Sequence, residues 1–281
     1  MQYLLLLLLA TICLPAFSQT ITVKDVVDRM VEDQQTPIQK GSVDTLIVGG
    51  WDQPVHGIAI TFMATFDVIK RAQRNGLNLV LTHEPTFYNH LDLRDDYGRG
   101  DSVVTQKIRF IEEHDMVVLR YHDLPHQASV DMINAGFVEQ LGWQDLDIGD
   151  WTFSSPFKTL GDLVGFLNSH FESSTIRVVG NSNMQISNIG IRLGAAGRHS
   201  QVQKYNQDQL DVLIIGEARE WETIEYVRDA LEMGRNTGLI VLGHADSEEP
   251  GMKFVANWLE ELVQEVPVQF VPAGNPFWAP E

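Results

Sequence analysis

From residue 20 onward, the apolar positions alternate between two spacings. ITVKDVVDRMVE (21–32) repeats them at helical intervals, whereas VDTLIVGG (43–50) and GIAITFMA (57–64) are short, nearly continuous apolar runs of the kind that form buried strands. FDVIKRAQRNG (66–76) predicts a helix ended by Gly76, and LNLVLTH (77–83) a strand. VVTQKIRFIEEH (103–114) predicts a helix, MVVLRYH (116–122) a strand and INAGFVEQLGW (133–143) a helix. The polar, proline-containing DIGDWTFSSPFK (147–158) predicts a boundary. The alternation then resumes through LGDLVGFLNSHF, STIRVVG, ISNIGIRLG, HSQVQKYNQ, LDVLIIG, WETIEYVRDALEMG, TGLIVLGH and MKFVANWLEELVQ, and ends on VPVQFVP. Strands alternating with helices of about 10 to 15 residues predict an α/β protein with mixed, mostly parallel sheets. The expected organisation is an N-terminal lobe over 19–150 and a C-terminal lobe over 151–281 that returns its last motif to a site shared in the cleft between them.

The first 18 residues stand apart. MQYLLLLLLATICLPAFS carries an apolar stretch too short to span a bilayer, broken by Pro15, with Ala16 and Ser18 ahead of a cut before Gln19. This is the pattern of a cleaved signal peptide (1–18), and it predicts a secreted or periplasmic protein. An ordinary buried N-terminal helix is the alternative. The single cysteine, Cys13, lies inside that segment, so the mature chain would have no thiol for disulfides, thiolate metal sites or nucleophilic catalysis. The net charge of −18 argues against nucleic-acid or membrane-surface binding, because both partners need positive charge opposite them. A negatively charged small-molecule substrate would need local arginines or bound cations.

Parallel sheets carry functional loops at the carboxyl ends of their strands. Three predicted strands end on imidazole and carboxylate together: His83 and Glu84 after LNLVL, His122, Asp123 and His126 after MVVLRY, and His244, Asp246 and Glu248 after TGLIVLG. Neutral imidazoles and ionised carboxylates are ligands for zinc, manganese or iron. The four-residue spacing of His244 and Glu248 stacks both on one face if a helix begins near Ala245. His122 and His126 share that spacing, but Pro125 argues against a regular helix. His83 and Glu84 are adjacent, so both can turn inward only beyond the strand end. Five or six such ligands suit two divalent metal ions sharing a bridging water. Taken singly, each motif is equally a capped turn, a helix start or a solvated loop.

THEP, HDLPH and GHADSE in this order resemble the motifs of the Nif-three-like family (domain of unknown function thirty-four), whose bacterial members are often labelled GTP cyclohydrolase I type two. IIGE (214–217) and LGAAG (193–197) extend the likeness over nearly the whole mature chain. The resemblance implies a dinuclear metal centre between two α/β lobes and a homo-oligomer, commonly a ring-shaped hexamer. By that likeness the metal ligands are His83, Glu84, His122, His126, His244 and Glu248. Glu84 stands where the family has a second histidine and His126 where it has an aspartate, so the charge of the set is kept. His122 and Asp123 are either further ligands or groups that orient an imidazole, Glu217 a base or an orienting acid, and Arg192 and Arg198 either meet a substrate anion or are ordinary surface residues. A metal-dependent hydrolase using a bridging hydroxide is the first expectation. A non-catalytic metal-binding scaffold is the second, and a protein whose histidines are all structural the third. Relatives are mostly cytosolic, and their cyclohydrolase label would need a nucleoside triphosphate outside the cytoplasm, so it is hard to carry over to an exported protein.

Overall fold

The computed structural model describes residues 21–93, 100–171 and 176–278. The expected signal peptide, with Cys13, lies outside the described residues. Two sheets organise the chain. The first runs β1 (Leu46–Val48), β4 (Val117–Arg120), β3 (Leu79–Glu84), β2 (Ile58–Met63) and β11 (Val268–Phe270), with only the β1–β4 pair antiparallel. The second runs β5 (Asp147–Gly149), β6 (Thr152–Ser154), β8 (Asn188–Arg192), β9 (Val212–Ile215), β10 (Gly238–Val241) and β7 (Arg177–Val179). Its parallel pairs are β8–β9 and β9–β10. The patch expected as a boundary therefore holds the β5–β6 hairpin.

Helices cover the sheets for reasons visible in their residues. In α1 (Val23–Gln34), Thr22 and Asp25 form a reciprocal capping box, and Val23, Val26, Val27 and Met30 fall on one buried face. Thr65 caps α2 (Phe66–Arg74) and Asp101 caps α3 (Ser102–Glu113); these two pack with Val80 and Val118 on one side of the first sheet. On its other side lie α1 and the long α9 (His244–Leu262), whose Met252, Val255 and Leu259 meet Ile58, Ile60 and Leu81. In the second lobe, α6 (Leu160–Phe171) covers one face, while α7 (Gly197–Asp208) and α8 (Glu225–Glu232) cover the other.

The seam between the lobes is made by α5 (Met132–Leu141) against α9. Ile133 joins the first core and Phe137 the second. The two backbones touch: a Cβ on Gly136 would lie 2.5 Å from the Pro250 carbonyl, and one on Gly251 would lie 2.4 Å from Cα of Ile133. The expected division of the lobes at 150 fails for the C-terminal segment. β11 pairs with β2 and α9 lies on the first sheet, because their apolar faces match that surface. A second correction concerns α9, which begins at His244, ahead of the expected Met252, and runs through Pro250.

Candidate metal centre

The carboxyl ends of β3, β4 and β10 meet at this seam. His83, fully buried, and Glu84 are the last two residues of β3. The strand thus extends through Glu84, one residue past the expected end. The cluster lies off the strand's tip, where a residue on either face reaches it. His83 Nε2 is 3.4 Å from Glu248 Oε2, while Glu84 Oε1 is 3.4 Å from His244 Nε2 and 3.6 Å from His122 Nε2.

His122 precedes and His126 lies within α4 (Asp123–Gln127), a one-turn helix where Pro125 had argued against one. Proline is tolerated there because first-turn N–H groups have no helical partner to lose. Asp44 takes their place as acceptor: its carboxylate receives the N–H groups of His122, Asp123 (2.9 Å) and Leu124 (2.7 Å). The rings of His83 and His122 stack with centroids 4.5 Å apart, and His126 lies edge-on at 5.2 Å from His83. The α9 start places His244 Nε2 2.9 Å from Glu248 Oε2, as the four-residue spacing requires.

What orients each imidazole settles its chemistry. His83 Nδ1 lies 3.3 Å from the Tyr121 carbonyl, which only accepts, so this nitrogen carries the proton. His122 Nδ1 is 2.8 Å from Asp123, and His126 Nδ1 is 2.9 Å from Asp131. Asp123 is also held by the Ser42 hydroxyl at 2.7 Å, so it orients His122 and stands behind it. With Nδ1 committed, each Nε2 turns its lone pair toward the others and toward the carboxylates. His83 Nε2 is buried without a hydrogen-bond partner. Lone pairs and carboxylate oxygens repel unless a proton or a cation stands among them. His83, His122 and His126 bring one ligand atom each within 4.8 Å of one another, and so do His83, Glu84 and Glu248. The donor set fits a divalent cation.

The electrostatics follow from the same crowding, and His244 must give up a proton to ligate. Burial and the neighbouring His83 push His122 down, so its ring is neutral near pH 7 and ready to ligate. Burial alone would raise Glu84 and Glu248, yet the facing imidazoles hold both below the usual carboxylate range. His244 is driven the other way. Burial lowers it, but Glu217, Glu248 and Glu84 outweigh that and push it up to about 12. Glu217 follows β9 and stands with its carboxylate 3.7 Å from His244 Nδ1.

Several residues that serve the cluster carry no local sequence signal. Arg120 is buried under it, donates to the His83 carbonyl at 3.2 Å and to the His90 carbonyl, and lies 3.9 Å from Glu84 Oε2. Asp44 and Arg120 are single residues in unremarkable strings; Asp131 was open to detection as the side-chain cap of α5. Gly194 of LGAAG has φ +56°, and a Cβ there would lie 1.9 Å from Glu248 Oε1, so the glycine is what lets this carboxylate approach. His90 sits nearer than its sequence position suggested, its ring 6.2 Å from that of His122. His114 and His170 bond back to their own helices. Arg192 is occupied by Asp150 at 3.4 Å and the Ile191 carbonyl, which leaves it no role at the cluster.

Fold and site together define a two-sheet α/β protein with a buried histidine–carboxylate cluster able to hold a metal ion. The DUF34/NIF3 (NGG1p interacting factor 3) family matches residues 21–276, and the chain belongs to that family. A Clostridium perfringens (strain 13 / Type A) protein called GTP cyclohydrolase 1 type 2 homolog is 24% identical over 255 residues, covering 83% of this chain and 89% of its own. Two solved structures share the fold. A hypothetical protein of Staphylococcus aureus superposes with a TM-score of 0.74 at 17% identity, over 93% of this chain and 100% of its own. A Bacillus cereus protein related to NIF3 gives 0.72 at 14%, over 93% and 100%.

Proposed function

We propose that this chain is a metal-dependent hydrolase whose centre holds two divalent cations, with zinc, manganese and iron as the ions its donors suit. The observation that carries this is the buried, partnerless Nε2 of His83, which is common to both ligand groupings. His122 and His126 complete one grouping; Glu84 and Glu248, with His244 against both, complete the other. Four imidazoles and two carboxylates exceed what a four-coordinate ion with an open position uses, which supports two ions. Bound there, the cations would supply a water of lowered pKa and positive charge to offset a developing oxyanion.

The chain's own residues do the rest. Asp123, Asp131 and the Tyr121 carbonyl hold three rings in the tautomer that ligates. Arg120 fixes the His83 carbonyl and lies against Glu84. Glu217 is half-exposed beside the cluster, and the His244 imidazole 3.7 Å away keeps it ionised against the effect of burial. It is therefore the carboxylate placed to accept a proton from a water entering beside His244.

Metal analysis of protein expressed with manganese, zinc and iron tests the centre: two divalent ions per chain are expected, one would refute the pair, and fewer than one would sink the centre. Metal-dependent turnover within a panel of phosphoester, nucleotide and amide substrates, lost on His244→Ala, separates a hydrolase from a binding scaffold. Export is part of the same proposal, supported by the apolar segment over 1–18. N-terminal sequencing of protein recovered outside the cytoplasm should begin at Gln19.

A further inference from the structure

Beside the cluster opens a cleft of about 1430 Å³, with His244 and Glu217 in its wall. Three arginines also line it, Arg177, Arg198 and Arg219. Arg177 is paired with Glu220 at 2.9 Å, and Arg219 lies 3.5 Å from Glu222. Arg198, in the first turn of α7, is exposed and has no acidic partner among the described residues. In a chain of net charge −18, a guanidinium left unpaired in the wall of a cleft has an anion as its natural complement.

The opposite character lies at the C-terminal end. Phe277 and Trp278 line the same cleft while 73% and 79% exposed, an arrangement that leaves two large apolar rings in water. The chain that leads to them is nonetheless held in place. Glu249 accepts from the N–H groups of Ala273 (2.6 Å) and Gly274 (3.1 Å), Asn275 donates to Asp246 at 2.9 Å, and the Asn275 side chain accepts from the Phe277 N–H. Both anchors, Asp246 and Glu249, belong to α9, the helix that supplies His244 and Glu248. One helix therefore fixes the aromatic wall relative to the metal ligands.

We propose that this cleft is a substrate site for a small organic anion, a phosphate ester or carboxylate carrying a flat apolar group. Arg198 meets the anionic group, Phe277 and Trp278 flank the flat one, and the remaining end reaches His244 and Glu217. The link to turnover rests on the metal-dependent reading above; the binding does not.

Calorimetric titration of manganese-loaded protein with phenyl phosphate, benzoate, benzyl alcohol and inorganic phosphate tests it. Phenyl phosphate or benzoate should bind at least tenfold more tightly than neutral benzyl alcohol, and the tighter of the two identifies the anion. Arg198→Ala should weaken that binding by roughly tenfold or more, with Arg198→Lys recovering part of it. Trp278→Ala should weaken the aryl anion and leave inorganic phosphate unchanged. Arg198 and Trp278 are exposed, so the variants should melt with the parent protein. Equal affinity for benzyl alcohol, an Arg198→Ala variant that binds like the parent, or no aryl-anion binding by about 10 mM overturns the proposal. Repeating the titration on chelated protein, with metal counted in every sample, separates the two readings. Arg198-dependent binding in a protein that never holds metal would refute the metal centre alone. A metal-replete protein with Arg198-independent binding would refute the cleft alone.

Discussion

His83 and Lys107 show how differently a buried titratable side chain can be used. His83 keeps an unbonded Nε2 because its neighbours converge on the same point, whereas Lys107 spends its charge on holding a loop. Lys107 is nearly fully buried, donates to the Thr86 carbonyl at 2.6 Å, and stands 4.9 Å from the Tyr88 ring. Burial pulls its pKa down to about 8. Its folded pKa is thus below the unfolded value near 10.5, so between those values the unfolded chain binds the extra proton and stability rises with pH. Urea denaturation should show a gain between pH 8 and pH 10.5 that Lys107→Met abolishes; an unchanged slope in the variant would refute this account. Gly194 belongs to the same scale. Gly194→Ala puts a Cβ against Glu248 at a left-handed φ, so it should cost about 2 kcal/mol and reduce metal affinity tenfold or more. Denaturation and metal titration of that variant check both effects.

Among elements, the crossing of α5 and α9 has the most to lose. α9 carries two expected ligands at its start, and its position against the first lobe depends on backbone contact at Gly136 and Gly251. Gly251→Ala should cost about 3 kcal/mol, since the new methyl meets main chain that has no rotamer to give. It should also displace His244 and Glu248, so metal content should fall with the melting temperature. A variant that melts normally yet holds no metal would contradict this coupling. The element pattern itself was largely legible. Helices α1, α2, α3 and α6 and strands β2, β3, β4, β9 and β10 announce themselves through apolar spacing and caps. The one-turn α4 was not, because its N–H groups are satisfied by Asp44, some 80 residues away in sequence. The start of α9 was likewise hidden by Pro250, whose lost hydrogen bond is tolerated in a helix packed on both lobes.

At the scale of the whole molecule, cation binding would be linked to folding, because the candidate ligands come from segments more than 100 residues apart that meet only at the assembled seam. Chelation should lower the melting temperature by about 5 °C or more, taking about 3 kcal/mol for an ion held at a hundredfold above its Kd. Equal melting with and without chelator would argue that nothing is bound. The sequence alone determined the α/β class and the strand ends on which His83, His122 and His244 fall, and it offered the four-residue spacing of His244 and Glu248, because periodicity and spacing are local properties. It also brought Glu84, His126 and Glu248 into one candidate set. Only the tertiary structure decided that residues from His244 onward belong against the first sheet. It alone turned Asp123, Asp131 and Arg120 toward the clustered histidines and carboxylates, and drew Arg198 and Trp278 into one cleft. Those facts depend on how distant apolar faces find one another and on which buried polar atoms then require partners. No stretch of sequence contains that information by itself.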